Sequence, residues 1–221
     1  MLARPALGAL VLLLCSTASA AASLSSVPVV RCPTSYALAQ RPPKLPRTTS
    51  VVAPAGATRG LAAYSNGVLL VLAPAGWRCH ATLGAHASAT IAVAPAGRRE
   101  PGISERFAGT PGAAAALGCS LFAAAARELP PGAHCARRRP RRERVRAPSA
   151  REREFNDPPG VRGNGEPSGG PDRARGFALF RAPGGGFGGY AFLVTCTLPA
   201  SAGARCAIVL ADALTRVPAR Q

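Results

Sequence analysis

Seven cysteines in 221 residues, and where they fall, constrain this chain more than any other feature. Cys15 lies in an N-terminal leader. The other six are Cys32, Cys79, Cys119, Cys135, Cys196 and Cys206. In an exported chain an even number of cysteines reads as a disulfide framework of three bridges. Six cysteines allow 15 connectivities, so sequence alone does not choose among them. Short loops favour Cys119–Cys135 and Cys196–Cys206, which leaves Cys32–Cys79. Each loop would contribute a few kcal/mol, largely by restricting the unfolded chain. Metal ligation is the rival use of such residues. No Cys-x-x-Cys or His-x-x-x-His pair is present, so no metal site is expected.

The disulfide reading depends on export, and residues 1–20 read as a signal peptide. Arg4 gives a positive start, Ala6 to Leu14 a short apolar run, and Ala18-Ser19-Ala20 a small-x-small cleavage pattern. Cleavage is expected after Ala20, with Ala22 as the near alternative. Leu14 precedes Cys15 where a lipidation signal needs a small residue, so Cys15 is not read as a lipid anchor. No later apolar run approaches about 18 residues, so no transmembrane segment is expected in the mature chain. The expected location is secreted or cell envelope.

The staples matter because the core is thin. Hydrophobic residues make up 48%, but many are Ala, and aromatics are only 5%. Ala buries little area, and such a core needs covalent support.

Residues 21–58 read as an extended, Pro-rich N-terminal segment, since Pro42, Pro43 and Pro46 cannot lie inside a helix. Val27 to Val30 suits a short edge strand. Residues 59–221 read as one α+β domain, mostly antiparallel sheet. From Leu61 to Val93 the pattern predicts a four-stranded meander. "LAAYS" and "VLLVLA" flank Asn66-Gly67, a type I′ hairpin signal. "WRCHATL" alternates, with Trp77, Cys79, Ala81 and Leu83 facing the core. A Gly/Pro-rich loop opens the stretch from Glu100 to Glu128. "GAAAALGCSLFAAAARE" then predicts a helix that Gly118 divides. Residues 136–154 are nearly all Arg and lack an apolar face, so a disordered surface loop is expected. "GFALFRA" and "YAFLVTCT" predict a C-terminal hairpin joined by "PGGGFGG". The last segment places Cys206, Val209, Leu210, Ala213 and Leu214 on one helix face, with Ser201 as N-cap.

"GNGEPSGGP" and "GAHC" echo the serine and histidine stretches of chymotrypsin-like proteases. His134 precedes Ser168 by too few residues to build two barrels. Glu166 and Pro167 also replace the Gly and Asp that such a loop uses. Ser168 therefore reads as a turn residue. Gly184 to Gly189 match Gly-x-Gly-x-x-Gly, but a strand follows where a dinucleotide site needs a helix. His80 and His86 have no acidic partner nearby in sequence and read as solvent-exposed. Asn156, Asp157, Asn164 and Glu166 match no regular calcium spacing. No catalytic, cofactor-binding or metal residue is assigned on these grounds.

The formal charge is +17, and Lys44 is the only Lys. Arg137, Arg138, Arg139, Arg141, Arg142, Arg144 and Arg146 are candidate contacts to a polyanion, such as an anionic cell-surface polymer. No element suited to a groove is visible, so sequence-specific nucleic-acid binding is not expected. The other reading is compositional. Ala, Pro, Gly and Arg all have GC-rich codons, and such a bias alone charges a solvated surface.

"VPVVRCPTSY", "LAPAGWRC", "NDPPGVRGNGEPSGG" and "TCTLP" with a following Cys run in order along the chain. In these segments the chain resembles a group of uncharacterised secreted proteins of high-GC actinobacteria. The resemblance implies an architecture and an exported location, and no activity. The expected function is a non-enzymatic extracellular or cell-envelope binding domain. The alternatives are a secreted hydrolase with an acid/base pair from Asp157, Glu166 or His80, and a nonspecific polyanion binder.

Overall fold

A computed structural model describes residues 22–37, 43–85, 87–98, 102–135, 145–160, 171–184 and 188–217. In chain order the strands are β1 (Ala22–Arg31), β2 (Thr34–Tyr36), β3 (Thr48–Pro54), β4 (Leu61–Ser65), β5 (Leu70–Pro74), β6 (Arg78–Leu83), β7 (Ser88–Ala94) and β8 (Ile103–Ala108). Two helices follow, α1 (Pro111–Gly118) and α2 (Ala123–Arg127). Then come β9 (Val145–Ser149), β10 (Glu152–Asp157), β11 (Arg173–Arg181), β12 (Tyr190–Leu198), a 3-10 turn at Ala200–Ala202, and α3 (Gly203–Arg216).

The strands form two sheets. One has the order β3-β1-β4-β5, the other β2-β6-β7-β8-β12-β11-β10-β9. Neither is purely antiparallel, because β1 pairs β4 and β2 pairs β6 in parallel. The expected four-stranded meander is thus divided. β4 and β5 belong to the smaller sheet, β6 and β7 to the larger. The segment expected to be loosely extended supplies β1 to β3, and β1 lies inside its sheet rather than at an edge. Ala22 to Pro28 pair with β3 and Val29 to Arg31 with β4, which local sequence does not announce.

The large sheet is covered on both faces. β12 "YAFLVTCTL" is buried almost throughout, as a strand sandwiched between layers must be. Phe192, Val194 and Cys196 face one core, shared with the small sheet and α3. Ala191 and Leu193 face the other, with Phe122, Ala125 and Phe180, under α1 and α2. Gly176 of β11 is required by this packing. A Cβ there would stand 2.2 Å from the Val194 carbonyl oxygen and 2.3 Å from Phe155 Cζ.

The loop between β4 and β5 spans residues 66–69 and is not the expected two-residue turn. Gly67 takes φ +91°, whereas Asn66 is not among the residues with positive φ. The Asn66 side chain shapes the loop instead. Its Oδ1 accepts the backbone N–H of Val68 at 2.9 Å and of Leu69 at 2.8 Å.

Three disulfides join the layers. Cys32–Cys79 ties the end of β1 to β6, Cys119–Cys135 closes the α2 region onto α1, and Cys196–Cys206 fastens α3 to β12. Gly118 does end α1, and a separate α2 follows. The cap of α3 is Ala202, not Ser201.

Two segments read as loops are strands. Ile103–Ala108 is β8, and part of the stretch 136–154 forms β9 and the start of β10. β10 hydrogen-bonds β11 along its length, so its backbone is satisfied by the sheet although all its side chains except Phe155 are polar. Arg137 to Arg144 lie outside the described residues.

Candidate ligand-binding site

Glu105 is the residue from which a site is built. In β8 it shares a face with Ile103 and Phe107, because strand side chains alternate. That face meets the core shared with the small sheet and α3. Opposite Glu105 stand Ile91 of β7 and Val194 of β12, both apolar. Glu105 is 4% exposed, and its Oε2 has no hydrogen-bond partner among the described residues. A buried unpaired carboxylate is costly, and the group takes up a proton instead. Desolvation by burial raises its pKa to about 8, against an opposing pull from Arg216.

α3 supplies the remaining charges. Asp212 is buried, and Arg216 lies one turn further on and forms an ion pair with it. Arg216 Nη1 also donates to the Leu70 carbonyl oxygen at 2.5 Å. Burial pushes the guanidinium down to about 10, with Glu105 pulling the other way, so it stays charged at neutral pH. The helix is held over the sheet by the Cys196–Cys206 bridge.

Glu105 and Arg216 line a cavity of about 320 Å³ whose walls are otherwise apolar. Leu69, Leu70, Phe107 and Phe192 form these walls, and exposed Val68 stands among the lining residues. A small apolar cavity with few polar groups is the usual form of a ligand pocket. A larger open groove of about 520 Å³ lies near Arg146, Glu154, Asn156 and Arg175. Three of its polar groups are engaged, Arg146 with Glu154 at 3.7 Å and Asn156 Oδ1 accepting from Arg173 at 3.1 Å, and Arg175 is exposed to water. Nothing there is left buried and unpaired.

The residues singled out from sequence fall elsewhere. His80 is exposed on β6 and His134 is exposed after α2. Asp157 is buried at the end of β10. β6 and β10 are five strand steps apart, roughly 24 Å at 4.8 Å per step, so His80 and Asp157 do not converge. His86, Asn164, Glu166 and Ser168 lie outside the described residues. Arg146 is exposed on β9. Gly184 and Gly189 flank the connection from β11 to β12, so the glycine run leads into a strand. Among the described residues no cluster of His, Cys, Asp and Glu could hold a metal ion.

Sequence reasoning passed over Glu105, Asp212 and Arg216. Two signals were present. "ISERFA" places Glu105 in an alternating apolar face, and Asp212 and Arg216 stand at the i, i+4 spacing of a helical ion pair.

Comparison with protein-family models, with curated proteins and with solved structures found no match to this chain. Among the described residues no helix is long and apolar enough to cross a membrane.

Proposed function

We propose that this chain is an exported binding domain that takes a small ligand in the cavity between β5, β8, β12 and α3. One observation carries the reading: a buried carboxyl, Glu105, with an unpartnered oxygen lines an otherwise apolar cavity. Native folds rarely leave such a group unsatisfied unless it has a task. The three disulfides support export, since such bridges persist in oxidising compartments.

The test is a small-molecule screen on the mature chain by NMR. Binders are expected to shift the resonances of Leu69, Phe107 and Phe192. Binders that all perturb residues remote from the cavity would refute the reading. So would a robust hydrolase activity abolished by Ser168→Ala.

A further inference from the structure

We propose that the ligand is a small organic monocation, an ammonium group on an apolar body, with the ammonium beside Glu105 and the body against Phe107 and Phe192. The inference rests on the binding-domain reading and adds the chemical class.

The charges of the site decide it. Two carboxyls, Glu105 and Asp212, face one guanidinium, Arg216. That guanidinium is committed, Nη2 to Asp212 and Nη1 to the Leu70 carbonyl. An anionic ligand would find the Arg216 guanidinium already ion-paired with Asp212, and the Glu105 carboxyl beside it. A cation finds Glu105, whose Oε2 lacks any partner among the described residues. With Glu105 ionised the cluster carries one net negative charge, and one positive charge completes it. Among the described residues Arg216 of α3 is the charged group that acts on Glu105, and Asp212 is the ion-pair partner of Arg216. On the same face β7 places Ala89, Ile91 and Val93, and β12 places Tyr190, Phe192, Val194, Leu198 and the disulfide-bonded Cys196. Of these only Tyr190 titrates, and burial raises its pKa above the ordinary 10.0, so its phenol stays neutral between pH 6 and pH 8. Phe107 and Phe192 line the cavity, and aromatic rings favour a cation over a neutral group. The cavity, about 320 Å³, suits a small ligand.

The proton balance follows from the state of Glu105. In the free protein the carboxyl holds its proton up to about pH 8. A bound ammonium stabilises the carboxylate, so the proton leaves to solvent as the cation enters. Close to one proton is released per ligand below pH 7. The observed affinity then rises about tenfold per pH unit until Glu105 ionises unaided.

Three probes of similar shape test this on the mature chain: phenethylammonium, 2-phenylethanol and 3-phenylpropionate, each titrated by NMR and calorimetry at pH 6 and pH 8. The expected result is that phenethylammonium binds tightest, shifts Phe107 and Phe192, and gains about fiftyfold in affinity between the two pH values. In Glu105→Gln it should fall to the affinity of the alcohol, while alcohol binding persists and reports an intact cavity. Should the alcohol or the propionate bind in the cavity as well as the cation does, the cation inference is overturned and the binding reading stands. Should none of the three perturb the cavity residues, both fall.

Discussion

Tyr64 and Trp77 are joined across the passage from the small sheet to the large one. Tyr64 Oη accepts the backbone N–H of Trp77 at 2.9 Å and donates to the Pro74 carbonyl at 2.8 Å. The phenol is fully buried, and burial raises its pKa above the ordinary value. One hydroxyl therefore fixes where the chain leaves β5 and enters β6. Tyr64→Phe removes it and takes the closer partner from the half-buried Trp77 N–H. The Trp77 N–H keeps only a 3.4 Å contact to Pro74. A loss of about 1–3 kcal/mol is expected in denaturant unfolding, with the fold retained.

Gly176 and Gly203 should respond oppositely to alanine. At Gly176 a Cβ meets backbone oxygen and an aromatic ring, and neither can yield cheaply. Gly176→Ala should cost roughly 1–3 kcal/mol or more. Gly203 opens α3 with no atom within 4 Å of a new Cβ. Gly203→Ala should be neutral or stabilise by up to about 1 kcal/mol, since alanine is the better helix former. Thermal melts of the two variants check both.

The pH dependence of stability should carry the signature of Glu105. Its folded pKa, about 8, lies above the ordinary carboxyl value of 4.5. The fold therefore favours the protonated form. That contribution is whole below about pH 4.5 and is lost as the pH rises to about 8. Glu105→Gln keeps the shape and cannot ionise. Relative to that variant, the wild type should lose on the order of a few kcal/mol between pH 5 and pH 8. Parallel stability curves for the two proteins would contradict the assignment.

The disulfides should differ in what they support. Replacing both Cys196 and Cys206 by Ala frees the helix that carries Asp212 and Arg216. It should cost about 2–4 kcal/mol and also weaken binding in the cavity. The same replacement at Cys119 and Cys135, on the opposite face of the large sheet, should cost a similar amount and leave binding unchanged. Calorimetric titration of the folded variants separates the two effects.

What could be read from the sequence was local. The β11–β12 hairpin, the break at Gly118 and the amphipathic α3 each rest on residues close together in the chain, and each is present. The partition into two sheets is not local. β1 finds β3 about twenty residues later and β4 beyond that, so a Pro-flanked segment becomes an interior strand through pairing alone. β9 and β10 were obscured by arginine, which a sheet edge tolerates because its side chains reach water. The Glu105 site was obscured for a related reason. A charged residue in a six-residue strand looks like a loop until α3, about a hundred residues on, is laid over it.

The most direct measurement is the carboxyl 13C shift of Glu105 followed through a pH titration, with and without phenethylammonium. A buried, unpaired carboxyl in a ligand cavity should titrate near pH 8 in the free protein. It should become ionised at lower pH when the ammonium is bound. A midpoint at the ordinary carboxyl value, unmoved by the probe, would contradict the account.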